Sequence, residues 1–176
     1  MSFSRKLKLL LIGLAFFLFG HAPWGQHEVY RQMHMLVMCS KTDHGAFEFT
    51  KDLVFVLDEY LPEAKARAAR ARDTERLADL LITNQIPLAI ISNELLETLT
   101  KSNSDIFQDL LETSKTLYTF SDMVLIVNHD FPKKHMKVII NSLSEASRNN
   151  YDTFRFIKKN NLSINYDEIV LETIKF

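Results

Sequence analysis

HMLVMCSKTDHG, residues 34–45, passes from an apolar run to a polar turn within twelve residues. Residues 35–39 form a short apolar run, which is typical of a buried strand. Residues 40–44 are polar, as in a short turn, and an amphipathic helix is expected directly after them. A strand, a polar turn and a helix in this order place backbone N–H groups at a helix N-terminus, where they can bind an anion.

The rest of the chain alternates between helix and strand patterns. Residues 45–60 carry apolar side chains at spacings of three and four, which predicts a helix with Thr42 or Asp43 as its N-cap. Thr74 is expected to cap a second helix, and Pro132 to occupy the first position of a later one. The further predicted elements are helices over 74–83, 94–100, 104–115, 151–159 and 166–174 and strands over 87–91 and 117–127. This alternation predicts an α/β three-layer sandwich with a mainly parallel central sheet.

Residues 64–72, AKARAARAR, fit two structures. Alanine, arginine and lysine have high helix propensities, so composition by itself favours a helix. The alternation of Lys65 and Arg67 with alanines also allows a strand. Asn84, after the second predicted helix, is expected in the left-handed conformation that often ends helices.

Composition and motif content disfavour several function classes. The chain has 176 residues, enough for one domain with a core, and its formal net charge of −1 supplies no basic field for nucleic acid. Cys39 is the single cysteine, so no internal disulfide forms, and a thiol in a buried strand is usually inert packing. A nucleophilic pair of Cys39 with His44 is therefore disfavoured. Gly-x-Ser-x-Gly, P-loop and paired-glycine motifs are absent, which predicts a protein that is not an enzyme and needs no cofactor.

The N-terminal segment, residues 1–22, differs from the rest of the chain. Three basic residues precede an apolar run over residues 9–20, and small residues close the segment. This is the pattern of a secretory signal peptide, and it predicts a periplasmic protein with a single domain over 23–176. Pro23 would directly follow the cleavage point and disfavours cutting there. An uncleaved membrane anchor is the alternative, although twelve apolar residues are short for a hydrocarbon layer of roughly 30 Å.

Residues 74–91 read TERLADLLITNQIPLAII, a leucine-rich helix followed by two polar residues and an apolar strand that contains alanine. This order resembles the first lobe of a type II periplasmic solute-binding protein. The nearest subgroup is the TAXI family of TRAP transporter receptors, with phosphate and phosphonate binders next. Residues 118–138, where an apolar strand meets Asp-Phe-Pro, look like the closing strand and helix of such a lobe. The resemblance covers residues 30–145.

The resemblance implies a shortened relative with one lobe. Family members close two lobes on a solute, whereas only about twenty-five residues lie between positions 93 and 117, where the second lobe would be. The resemblance also implies that residues 64–71 form the second strand. It further implies a non-enzymatic transport protein that binds a small anionic solute, or a receptor-derived subunit that pairs with a membrane transporter or another protein.

The family's ligand site would lie on the turns after the first three strands. The side chains there are Ser40, Thr42, His44, Arg70, Arg72, Thr74, Ser92 and Asn93. Hydroxyls, helix N-terminal amides and guanidinium groups suit a phosphate or a carboxylate. In the alternative interpretation, the threonines are only helix caps and the arginines are only solvated.

Two other functions remain open from the sequence. Histidine, methionine and cysteine are frequent between residues 27 and 44, and sulfur with imidazole is the ligand set that Cu(I) prefers. A copper-handling protein would use His27, His34 and His44. The second alternative is a structural subunit of a complex, tethered to a membrane by residues 9–20.

Overall fold

A computed structural model describes residues 34–149, 151–159 and 162–174. The predicted signal peptide or anchor and His27 lie outside these ranges. The described strands are β1 (Leu36–Ser40), β2 (Arg67–Ala71), β3 (Leu88–Ser92), β4 (Ser114–Thr119) and β5 (Met123–Asn128); the α-helices are α1 (Ala46–Tyr60), α2 (Thr74–Ile82), α3 (Asn93–Thr100), α4 (Asp105–Thr113), α5 (Lys133–Arg148) and α6 (Glu168–Thr173), with 3-10 turns at Pro62–Ala64 and Asp152–Phe154. None of these helices has the length and apolarity needed to cross a bilayer.

The five strands form one mixed sheet in the order β2-β1-β3-β5-β4. The first strand pairs in parallel with β2 and β3, whereas β5 is antiparallel to both of its neighbours. Four strands therefore run in one direction and β5 runs in the other. The predicted α/β class with a mainly parallel sheet is confirmed.

Helices cover both faces of the sheet and give two separate cores. Helices α1, α5 and α6 pack on one face, and α2, α3 and α4 pack on the other. Successive residues of β1 alternate between the faces, so Val37 and Cys39 enter the first core and Met38 enters the second. This arrangement is a three-layer sandwich, as the sequence pattern predicts.

Residues 64–72, which fit either a helix or a strand in the sequence analysis, contain the strand β2. It pairs with the outer edge of β1 from Leu36↔Arg67 to Ser40↔Ala71, so the interpretation as a helix is wrong and the strand implied by the resemblance is confirmed. Helix propensities differ by only about 0.7 kcal/mol per residue among ordinary residues. Backbone hydrogen bonds to an open strand edge outweigh differences of that size.

The prediction of one strand over residues 117–127 is wrong, because two strands occupy this region. The chain reverses between β4 and β5, where the backbone N–H of Phe120 donates to the carbonyl of Met123 at 2.9 Å. Both strands are buried, and the polar pair Ser121 and Asp122 lies at the reversal between them. Polar residues of this kind mark turns, so the local sequence did contain a signal for two strands.

The predicted helix over residues 151–159 is also wrong, and α6 is shorter than the predicted helix over 166–174. Extended backbone covers the outer edge of β4 instead. Ile157 donates its N–H to Thr119 at 3.0 Å, and the N–H of Thr116 donates to the carbonyl of Asn165 at 2.8 Å. An open sheet edge offers unpaired backbone groups, and this coverage satisfies part of them.

Helix ends follow the predictions only in part. Asp73, not Thr74, caps α2 by accepting from a backbone N–H of the first turn, so Thr74 is the first helical residue. Pro132 is the N-cap of α5 rather than its first residue. Asn84 has φ 54°, which confirms the left-handed conformation expected there.

Candidate functional site

The carboxyl ends of β1, β2 and β3 lie side by side because these strands are parallel neighbours. The chain leaves β1 towards α1 on one face of the sheet and leaves β3 towards α3 on the other face. Loops that depart to opposite faces leave a crevice, and open α/β sheets bind ligands in such crevices. The eight predicted site residues lie at this edge, and the structure divides them into two groups.

Three hydroxyl groups from two loops converge after β1 and β2. Thr74 Oγ1 lies 3.2 Å from Ser40 Oγ and 3.2 Å from Thr42 Oγ1, and Ser40 Oγ lies 2.7 Å from Thr42 Oγ1. Ser40, Thr42 and Thr74 are the hydroxyl triad. Each hydroxyl has one proton to donate, so a closed ring of three can use every proton internally. Ser40 is buried and Thr42 is exposed, so the triad opens to solvent on the threonine side.

Helix α1, which follows Ser40 and Thr42, begins without a side-chain cap. Its N-cap is Gly45 in the left-handed conformation, φ 78°, which corrects the prediction that Thr42 or Asp43 caps α1. By contrast, Asp73 caps α2 and Ser92 caps α3 through their side chains. The first-turn N–H groups of α1 therefore have no side-chain acceptor, and a helix N-terminus carries partial positive charge.

The predicted arginines lie at this edge, and each has a partner. Arg70 places its guanidinium carbon 4.2 Å from the ring centroid of Phe47. The Nε atom of Arg72 lies 2.8 Å from Asp73 Oδ2, and the Arg72 side chain is 83% exposed. His44 is exposed. Positive charge is thus present beside the triad, and a carboxylate compensates part of it.

The turn after β3 is closed by a side chain from the loop after β1. Asp43 is only 8% exposed, and its Oδ2 atom accepts the backbone N–H of Ser92 at 2.8 Å. Ser92 Oγ in turn accepts the N–H of Leu95 at 3.1 Å. A carboxylate of the chain itself therefore occupies the position where an anion would meet this turn, and it would repel one.

Asn93, the other predicted site residue of the turn after β3, is hydrogen-bonded to the hairpin between β4 and β5. Asn93 Nδ2 donates to the carbonyl of Ser121 at 3.0 Å, and the same carbonyl accepts from Lys159 Nζ at 2.7 Å. Partial burial lowers the pKa of Lys159. The Oδ1 atom of Asn93 is buried without a partner among the described residues, and an acceptor oxygen cannot bind an anion. Ser92 and Asn93 thus form a structural group, separate from the triad.

Cys39 lies in the first core and is fully buried. Its Sγ atom lies 3.8 Å from the carbonyl of Ala69, and burial raises the pKa of the thiol despite a hydrogen bond with Thr50. Nucleophilic chemistry requires the thiolate, so a raised pKa and burial both oppose it. The predicted interpretation as inert packing agrees with this environment.

The two histidines of the copper alternative that the structure describes, His34 and His44, are far apart. His34 precedes β1 and His44 follows it, so the strand, roughly 16 Å at about 3.3 Å per residue, lies between them. Ligands must reach a metal at about 2.0–2.3 Å, so these two imidazoles cannot share an ion within this fold. Across the described ranges, no group of three or more His, Cys, Asp or Glu side chains is placed to hold a metal.

The sequence predicted Asp43 as a helix N-cap, whereas the structure shows it as the acceptor for the backbone N–H of Ser92. It is 49 residues from Ser92, and no local pattern links a turn carboxylate to so distant an amide.

The chain matches no family model, no curated protein and no solved structure.

Proposed function

We propose that this protein is an exported, non-enzymatic binding protein that holds a small oxyanion, such as phosphate, a phosphonate or a carboxylate, at the hydroxyl triad. The single observation that carries the proposal is the convergence of Ser40, Thr42 and Thr74 beside the uncapped N-terminus of α1. Hydroxyl donors and free helix amides are the groups that bind phosphate without neutralising its charge completely.

Binding requires a change in the triad that its geometry permits. In the closed ring each hydroxyl donates to a neighbour, whereas an oxyanion needs donors that point towards it. Thr42 and Thr74 are accessible and can rotate their protons outwards, while the buried Ser40 stays as an acceptor for the N–H of Thr42 at 3.2 Å. Lys41 adds a positive charge in the same loop as Thr42, which favours an anionic ligand over a neutral one, whereas Arg72 is paired with Asp73.

The binding of an oxyanion is tested by thermal unfolding of the purified native protein in phosphate, methylphosphonate and acetate at matched ionic strength. A ligand at a hundredfold its dissociation constant adds about 2.7 kcal/mol to the free energy of unfolding, which raises Tm by roughly 5–10 °C. We expect one of these anions to raise Tm in this way. The double substitution Thr42→Val and Thr74→Val keeps the side-chain shapes but removes both accessible donors, so the shift should disappear.

Thr98→Val is the matched control, because Thr98 is an exposed threonine on α3 whose hydroxyl bonds only within its own helix. This variant should respond to the anion as the natural protein does. A double valine variant that keeps the full shift would contradict the proposal. If none of the three anions raises Tm, the result favours the alternative, a receptor-derived subunit whose ligand is another protein.

Export is tested by the N-terminal sequence of the protein isolated from its own cells. We expect a mature chain that begins after residue 22, because residues 1–22 have the charge and apolar pattern of a signal peptide. A native chain that still begins with Met1 would contradict export as a soluble binding protein and would support the membrane-tethered subunit.

A further inference from the structure

A cavity of about 530 Å³ lies beside β4, on the face of the sheet that carries α5 and α6. It is bounded by one side of α5, by residues 155–156 and by the end of α6. None of the residues of the triad or of the turn after β3 contributes to its lining. Small-molecule sites usually have volumes of about 300–1,000 Å³, so this cavity has the size of a ligand site.

The charge of the lining has one sign. Arg148 and Arg155 both contribute to it, and among the residues that the structure describes no aspartate or glutamate does. Neither guanidinium forms an ion pair with any residue in the described ranges. Arg148 lies in the last turn of α5, where the helix dipole stabilises a cation, but Arg155 has no such support. Both arginines are exposed at the mouth of the cavity, so their guanidinium groups are accessible to an anion that enters it.

Polar groups that can complete an anion site line the same cavity. Ser144 lies one turn before Arg148 on the same face of α5 and hydrogen-bonds with Tyr118, and Ser147 also lines the cavity. The Oγ1 atom of Thr173, on α6, is buried and has no hydrogen-bond partner among the described residues. Because this oxygen is buried, it does not face the open cavity, and Thr173 lines the cavity through its other atoms.

The remaining wall is aromatic and aliphatic. The rings of Tyr118 and Phe156 meet edge to face with centroids 5.1 Å apart, and Ile174 lies in the same wall. Tyr118 donates its hydroxyl to the carbonyl of Phe154 at 3.0 Å, and burial raises its pKa to about 12, so the phenol stays neutral. An apolar group can therefore be buried here without meeting a charge.

We propose that this cavity binds a small amphipathic oxyanion, a carboxylate or phosphate monoester on an apolar body, with Arg148 and Arg155 as its anion ligands. The apolar body packs on Tyr118 and Phe156, and the hydroxyls of the wall complete the donor set around the oxyanion. Guanidinium groups suit this ligand because they bind carboxylate and phosphate oxygens in pairs. This site is separate from the triad, so the two proposals stand or fall independently.

Isothermal titration of the native protein with phenyl phosphate and with benzoate tests this site. We expect saturable binding of one or both with a dissociation constant in the millimolar range or below, because each ligand offers a charged headgroup to the arginines and a ring to the aromatic wall. A comparison of the dissociation constants of phenyl phosphate and benzoate shows whether the site prefers a phosphate or a carboxylate headgroup. Benzyl alcohol, which has the ring without the charge, should not bind.

Arg148→Gln and Arg155→Gln should each weaken binding at least tenfold. Lys134→Gln is the matched control, since it removes one positive charge from an exposed position at the other end of α5 and should change affinity less than twofold. Thermal unfolding checks that each variant folds. The proposal is overturned if neither probe binds, if the arginine variants bind as tightly as the natural protein, or if only Thr42→Val with Thr74→Val abolishes binding.

Discussion

Replacing Phe120 with alanine is expected to lower the free energy of unfolding by about 3–5 kcal/mol, as large aromatic-to-alanine changes in cores do. Phe120 is fully buried at the end of β4, and its ring lies 4.8 Å from Phe49, 4.9 Å from Tyr118 and 5.8 Å from Phe154, centroid to centroid. The ring thus joins α1, β4 and the 3-10 turn at Asp152–Phe154. Its loss leaves a cavity that these three elements cannot all fill.

Urea unfolding monitored by circular dichroism measures this change. Phe55→Ala is the control, because Phe55 is also a phenylalanine but is 65% exposed on α1. This surface substitution should change the free energy of unfolding by no more than about 0.5 kcal/mol. A loss below about 1 kcal/mol for Phe120→Ala would mean that the aromatic cluster does not hold the three elements together.

Replacing Asp43 with alanine is expected to lower the free energy of unfolding by about 2 kcal/mol, because it leaves the N–H of Ser92 without an acceptor at a partly buried position. The bond between these residues joins the loop after β1 to the turn after β3, so its loss also loosens the crevice. Asp43→Asn keeps one acceptor oxygen in nearly the same shape and should lose less than the alanine variant. The same urea experiment measures both changes.

Added formate gives a second readout for the Asp43 position. A free carboxylate can enter the space left in Asp43→Ala and accept the N–H of Ser92, so formate should raise the Tm of this variant but not of the natural protein. Chloride at the same ionic strength is the control. Equal responses to formate and chloride would show that the Ser92 amide is not an anion position even when the carboxylate is absent.

The Asp43 contact also limits the proposed function. In an open α/β sheet, the turns after neighbouring strands can share one ligand, and the resemblance implied that all three turns do so here. Because Asp43 closes the turn after β3, a ligand at this edge is confined to the turns after β1 and β2. The accessible part of the predicted site is therefore small and suits a headgroup better than a large solute.

Several elements follow directly from local sequence patterns. The apolar run of β1, the helical spacing in α1, the leucines of α2 and the branched residues of β3 each specify an element through neighbours three or four residues away or less. The alternation of these elements was sufficient for the α/β class and the mainly parallel sheet. The turn hydroxyls at Ser40, Thr42 and Thr74 were also visible, since polar residues after buried strands mark the carboxyl edge.

Tertiary structure alone decided the features that depend on distant partners. β2 is a strand because the free edge of β1 pairs with it, although its alanines and arginines favour a helix. β5 lies between β3 and β4 because it pairs antiparallel with both, and β3 is distant from β5 in the sequence. Asp43 meets Ser92 across 49 residues, and the arginine cavity joins α5 to segments from the C-terminal part of the chain. Local sequence carries no record of such contacts, because their energy arises only when the sheet brings the segments together.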